Sequence, residues 1–303
     1  MTKIKIVDTS TIEVMTRDVD EIPFGYEIEN IWKGYRICYY KDVNYEDALK
    51  FDPEEMRAKY ADDQTQVILK GKAFCKRYGY DECPTLDMNE SFFKEIYQQN
   101  PGENSDWETF LKNHEDETYL RQLFLNFWDW HVANNPDYLK FMGAAYFIKQ
   151  HLHHESPFEH GVVTFTLGNV SRSLTHQIVR HRLASMSQQS QRYIGEKPGE
   201  LEFVIPRKIR ANKEALSVVD KYLSQLDDVI TALKQLGIKN EDIRCIYPNA
   251  MPSSITMTMN FRELKHMLEL RTDSHAQDEI RYVTYKIWKC MALSIPFIWT
   301  DLL

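Results

Sequence analysis

The chain has 303 residues, 43% of them hydrophobic, which is enough for one large domain or two with a sizeable core. Its formal net charge of −8 argues against a nucleic-acid binder, whose footprint is positive, and favours a local basic site for a small anion. The cysteines (Cys38, Cys75, Cys83, Cys245, Cys290) form no C-x-x-C pair, the N-terminus lacks a signal-peptide apolar run, and no window is long enough to span a bilayer. These features predict a soluble, cytoplasmic protein with reduced thiols and no membrane partner.

Residues 3–7 alternate and predict a short strand; 35–40 suit either a strand or the start of a helix. From about 44 to 140 the chain turns acidic and aromatic, with helical spacing broken by turn signals. Asn44 is placed to cap a helix toward Tyr60, and Pro84-Thr85 to open another toward Gln99. Asn100-Pro-Gly is a break. Glu115–His131 carries Leu120, Leu123, Phe124, Phe127 and Trp128 at helical spacing, and Pro136 opens a further helix toward His151.

Residues 161–168 are β-branched and glycine-bounded, a strand, after which Asn169 or Ser171 is expected to cap a helix running through Arg182. Leu174, Ile178 and Val179 are candidates for its inner face. Asn212–Leu236 is the longest predicted helix, with a core stripe from Ala215 through Tyr222 to Leu236 and Gly237 as its stop. A short helix ends at Arg244. Residues 254–259 alternate as a strand, Asn260 caps a helix carrying His266 and Arg271, and Asp273-Ser274-His275 is expected to open the last helix.

Three segments carry chemistry. In the first, Arg180 to Tyr193, three arginines, a histidine, three serines and adjacent glutamines leave little for a core; arginine forks and neutral donors suit a polyanionic ligand. A solvated charged loop is the plain alternative. The second, His151 to His160, invites zinc, but Pro157 breaks any helix and the spacing is wrong for ligands on one face, so a turn presenting Ser156, Glu159 and a histidine to a ligand is preferred, with no metal. The third joins Arg244, Asn260 and Arg262 to Arg271-Thr-Asp-Ser-His275, where a helix-end cation is the plain reading of Arg271. Phosphate-cradling glycine loops and a G-x-S-x-G elbow are absent.

Arg180-His181-Arg182, seven residues, then Ser190, with Arg192 following, resembles the diagnostic motif of the flavin-dependent thymidylate synthases. His154-Glu-Ser-Pro-Phe-Glu-His160 and Leu270-Arg-Thr-Asp-Ser-His-Ala-Gln277 resemble two further blocks of that family, in the same order. The likeness covers 150–303 well and 1–40 faintly; 42–140 looks like an insertion. It implies an α+β fold, an antiparallel sheet flanked by helices, in a single domain over 1–303 with a large helical insertion in the N-terminal half. It also implies a homotetramer with active sites between subunits.

The implied reaction is methylation of dUMP to dTMP, with methylenetetrahydrofolate as carbon donor and FAD, reduced by NADPH, as hydride source. By position, Gln177, Arg180, Gln188, Ser190, Arg192, Arg244 and Arg271 would contact dUMP. Ser156, Glu159, Arg180, His181, Arg182, Asn260, His266 and His275 would lie near FAD. Arg271, His154 and Ser190 are the candidate catalytic positions, Ser190 as a donor to the ligand rather than a nucleophile. The chain departs from the family at Ser187 and Gln188, where Asn and Glu are usual, at His266, aligned with an asparagine, and at Cys38, where serine is common. Two other classes compete: a nucleotide-binding regulator using the same basic site, and a metal-dependent phosphohydrolase.

Overall fold

A computed structural model describes residues 5–6, 11–15, 28–33, 51–80, 116–135, 137–151, 155–193 and 201–303. Its elements begin with strands β1 (Lys5–Ile6) and β2 (Thr11–Met15), then helices α1 (28–33), α2 (Pro53–Tyr78), α3 (Glu117–Asn134) and α4 (Tyr138–His151). A 3-10 turn (Ser156–His160) leads to β3 (Val162–Ser171), α5 (Arg172–Ile178), β4 (Ala184–Gln188) and β5 (Glu202–Phe203). Helices α6 (Arg207–Arg210), α7 (Lys213–Gln235) and α8 (Asn240–Ile243) precede β6 (Pro252–Asn260), α9 (Phe261–Thr272), α10 (Asp278–Ser294) and α11 (Pro296–Trp299). The fold is α+β, an antiparallel sheet flanked by helices, with helices filling the described part of the N-terminal insertion.

The chain divides into two units. A sheet unit comprises Met1–Met15, Val163–Met259 and Asp273–Val283; a helical unit comprises Thr16–Val162, Asn260–Thr272 and Thr284–Leu303.

In the sheet unit the strand order is β2-β3-β6-β4. β2 runs antiparallel to β3, and β4 antiparallel to β6. Hydroxyl pairs Thr164–Thr258 (2.9 Å) and Thr166–Thr256 (3.0 Å) cross from β3 to β6 in descending register. Period-two alternation puts Val163, Phe165 and Leu167 of β3 and Ile255, Met257 and Met259 of β6 in the interior. Asn169, at φ 53°, breaks that alternation, so that Val170 and Ser171 are both buried; a short polar side chain tolerates this backbone. A second core gathers Leu201, Phe203 and Ile205 with Leu223, Leu226 and Ile230 of α7.

In the helical unit, α2 starts from Asp52, whose carboxylate accepts from Glu54 N (2.9 Å), with Pro53 at the first helical position. It ends at Gly79, φ 65°, in the left-handed region that favours glycine. Polar rungs tie it antiparallel to α3: Arg57 to Asp129, Arg121 to Asp62 and Gln66 to Glu117. Tyr60 packs on Trp128, Tyr138 and Phe297 beneath those rungs.

Several expectations need correction. The helix expected between Asn44 and Tyr60 is seen from Pro53 and continues to Tyr78; Asn44 itself lies outside the described residues. The helix capped by Ser171 stops at Ile178 instead of reaching Arg182, and Val179 is exposed. Bonds from Arg180 N to Gln177 O and His181 N to Ile178 O tighten the last turn, and the chain leaves to pair β4 with β6. The segment 184–188, for which the sequence suggested no element, is an edge strand with alternating half-buried positions. On α7, Leu223, Leu226 and Ile230 are core, but Tyr222 and Leu236 are exposed. The helix expected to open at 273–275 begins instead at Asp278, and a further short helix, α11, follows it. The segments 35–40, 84–99 and the 100–104 break lie outside the described residues.

Candidate active site

The sheet unit presents most of the sequence-identified residues. Ser171 Oγ accepts from Leu174 N (3.0 Å), starting α5, and is itself held by Glu279, whose carboxylate accepts from Ser171 N (2.8 Å) and Oγ (2.5 Å). Gln177, near the end of α5, donates to Gln277. In the turn after α5, Arg180 and Arg182 are exposed while His181 between them is buried. Neither exposed guanidinium forms an ion pair with any described residue.

Arg172, the first residue of α5, is brought beside the loop that follows Arg244. Its N–H donates to Met251 O (3.1 Å) and Ser173 N to Asn249 O (3.1 Å). Burial lowers the Arg172 pKa below its ordinary value, and the nearby charge of Arg244 lowers it further. No described carboxylate pairs with either arginine; Arg244 donates only to the Glu241 carbonyl (3.3 Å). Two guanidiniums near each other, with no counter-ion among the described residues, suit a dianion. The sequence reading missed Arg172, since nothing local distinguishes it from a solvated helix-start arginine.

Gln188, on the edge strand, turns its amide inward to Thr175 Oγ1 (2.9 Å) and Ser253 Oγ (3.1 Å). Ser190 Oγ accepts from Arg192 N (3.3 Å), and Arg192 reaches Glu241 (3.4 Å). Arg192 and residues 237–241 line an open cleft of about 490 Å³. His275 is exposed, its ring against Asp273 Oδ1 (2.7 Å); the hydrogen bond from its backbone N–H, then the ring contact, lowers the Asp273 pKa. Its loop is stapled by Arg281, another residue the sequence reading missed, which donates to the carbonyls of Asp273 (3.2 Å), Ser274 (3.3 Å) and Ala276.

The helical unit carries Ser156, Glu159, Asn260, His266 and Arg271. Ser156 and Glu159 sit exposed on the 3-10 turn, anchored by buried Pro157 and Phe158. Arg262 binds Glu159 (2.5 Å), and Lys265 binds Glu155 (2.8 Å), which holds the Glu155 pKa below its usual value. Asn260 Oδ1 accepts from Glu263 N (2.9 Å), capping α9 as its position predicts. His266 is exposed on α9, and Arg271 is half-buried in its last turn. His154 lies outside the described residues.

The sheet unit thus presents Arg172, Arg180, Arg182 and Arg244 with no carboxylate partner among the described residues. Residues 131–297 match the family described as thymidylate synthase complementing protein, and the chain belongs to that family. It is 43% identical over 136 residues to the flavin-dependent thymidylate synthase of Thermococcus onnurineus (strain NA1), covering 44% of this chain and 56% of that protein. It is 45% identical over 136 residues to that of Pyrococcus abyssi (strain GE5 / Orsay), again 44% and 56%. With that of Geobacter sulfurreducens (strain ATCC 51573 / DSM 12127 / PCA) it shares 37% over 150 residues, 50% of this chain and 65% of the other. The chain thus spans little more than half the length of the first two relatives, and α2 with most of α3 falls outside the family match.

Proposed function

We propose that this chain is a flavin-dependent thymidylate synthase, converting dUMP to dTMP with methylenetetrahydrofolate as carbon donor, FAD as cofactor and NADPH as reductant. The observation that carries the reading is the set of arginines without carboxylate partners among the described residues, Arg172, Arg180, Arg182 and Arg244, in a chain of this family.

The exposed forks of Arg180 and Arg182 fit a dinucleotide diphosphate, with His181, Ser156, Glu159, Asn260, His266 and His275 as further contacts carried over from the family motif. Bound there, the flavin would supply the hydride. The residues of the chain do the rest. Arg244 and Arg172 hold the nucleotide phosphate, aided by Ser190 and Arg192. Gln177 and Arg271 orient the pyrimidine, and the Arg271 donors stabilise the negative charge that grows on a uracil carbonyl as C5 attacks the electrophilic carbon. Gln188 braces this face through Thr175 and Ser253. His154 would sit near the flavin ring. A homotetramer with sites shared between subunits, working in the cytoplasm, completes the reading.

The test is direct. The purified protein should show oxidised-flavin absorbance and form dTMP from dUMP, methylenetetrahydrofolate, FAD and NADPH. Protein without flavin that forms no dTMP, even after addition of FAD, contradicts the reading. dUMP binding without turnover would favour the regulatory alternative.

A further inference from the structure

Two glutamines stand side by side where β4 ends, and both are committed within the sheet unit. Gln188 donates one amide hydrogen to Thr175 Oγ1 (2.9 Å) on α5 and the other to Ser253 Oγ (3.1 Å) on β6. Gln189 forms a two-way link with Ser254: its N–H donates to Ser254 O (2.9 Å), and its side-chain oxygen accepts from Ser254 N (3.1 Å). The pair fastens the exit of the edge strand to two other elements, just before the chain reaches Ser190 and Arg192. Each segment joined in this way carries candidate nucleotide contacts: Arg172 and Gln177 on α5, Ser190 and Arg192 after β4, and Arg244 ahead of β6.

The hydroxyl of Thr175 admits only one kind of partner. Thr175 is fully buried, and its hydrogen goes to the Arg172 carbonyl (3.0 Å). A hydroxyl has one hydrogen to give, so toward residue 188 Thr175 can only accept, and it needs a donor there. An amide NH2 supplies one. A carboxylate, which only accepts, would set lone pairs against lone pairs, or would draw the Thr175 hydrogen away from the first turn of α5. The glutamate that the family resemblance leads one to expect at this position is therefore what Thr175 excludes.

We propose that Gln188 is a positioning residue for the phosphate donors: with Gln189 it locks the end of β4 to α5 and β6, which holds Ser190 and Arg192 where the nucleotide phosphate needs them, and Thr175 makes an amide obligatory at position 188. Gln188 acts through the strand and not by touching the ligand. The inference rests on the proposed reaction for the identity of the ligand; the lock itself stands on the hydrogen bonds.

Two measurements on the full chain test it. Hydrogen–deuterium exchange without ligand reads the lock, and titration calorimetry with dUMP and with deoxyuridine reads its effect on the phosphate. Gln188→Glu should speed exchange at the Gln189 amide and lower the preference for dUMP over deoxyuridine, each by about tenfold, the scale of one lost hydrogen bond to a charged group. Gln188→Met, which removes the donors without adding charge, should show the same two losses. Thr175→Ala removes the hydroxyl that demands a donor and leaves Ser253 to donate to a carboxylate. Thr175→Ala combined with Gln188→Glu should therefore return both readouts to within about twofold of Thr175→Ala alone, although the added negative charge is still present. Circular dichroism checks that each variant folds. Losses that simply add in the combined variant overturn the proposal. So do unchanged readouts in Gln188→Glu or Gln188→Met, or faster exchange with the preference for dUMP intact. An unsubstituted chain that binds no dUMP contradicts the proposed reaction instead, and the exchange comparison among the same variants then decides the lock.

Discussion

The two units treat positive charge differently. In the helical unit many of the cations are tied to carboxylates: Arg57 to Asp129, Arg121 to Asp62, Lys59 to Asp63, Lys149 to Asp301, Arg262 to Glu159 and Lys265 to Glu155. In the sheet unit, Arg192 and Arg207 have acidic partners, but Arg172, Arg180, Arg182 and Arg244 have none among the described residues. A paired cation serves the fold, modestly when exposed. A cation kept without a partner, and near another of its kind, contributes little to the fold and is available to an anion from outside. The contrast separates ion-paired arginines from those with no described acidic partner within one sequence.

Substitutions should divide along the same line. The largest effect is expected for Arg180→Ala combined with Arg182→Ala: flavin retention falls by on the order of 100-fold, as expected for losing charge-assisted contacts, while Tm stays within about a degree or two, as for surface changes. A large loss of Tm with flavin retained would place these arginines among the structural ones. Next comes Arg281→Ala, which removes the donor to three carbonyls around His275 and should cost about 3 kcal/mol, or roughly 5–10 °C in Tm. An unchanged Tm would show that the loop does not depend on that staple.

The third expectation concerns pH. His131 stacks on Tyr138 (4.6 Å) with its ring edge-on to Phe127 (4.4 Å), and burial lowers its pKa to about 4. The unfolded chain therefore binds this proton first as pH falls below about 6.5. Stability should decline from about pH 6.5 toward about pH 4, and His131→Phe should flatten that part of the Tm profile. A profile unchanged by the substitution would remove His131 as its cause. The smallest effect is expected for Arg57→Ala: although its contact with Asp129 is two-pronged at 2.6 Å, both side chains are accessible, and the loss should be about 1 kcal/mol or less with ligand binding unaffected. A fall in dUMP affinity would breach the division between the units.

Periodicity revealed the elements whose pattern is local. The apolar spacing in Glu117–Asn134, the inner residues of α7 and the alternation of β6 all appear as the sequence implies. Capping chemistry did as well at Ser171 and Asn260. Boundaries set by distant pairing were not legible. The end of α5 at Ile178 depends on β4 joining β6, some seventy residues on, and the polar composition of 184–188 concealed an edge strand. Within the candidate site, the motif residues stood out by type, but their supports did not. Glu279 under Ser171 and Arg281 under the His275 loop acquire their roles only when the chain folds back. The resemblance offers Gln188 as a ligand contact, but that its amide N–H groups donate to Thr175 and Ser253 was not legible in the sequence. The isolation of Arg172 and Arg244 is a property of what surrounds them, which no sequence pattern encodes.

That isolation is also where the account is most exposed. Titration calorimetry with dUMP and with deoxyuridine, on the unsubstituted chain and on Arg172→Gln with Arg244→Gln, separates the phosphate contribution from the rest of the nucleotide. The account predicts that the unsubstituted chain prefers dUMP by at least tenfold, that the double substitution abolishes this preference with little effect on deoxyuridine, and that Tm does not fall, because a repulsion has been removed. Equal preference for dUMP before and after substitution, or a preference lost only together with the fold, would contradict it.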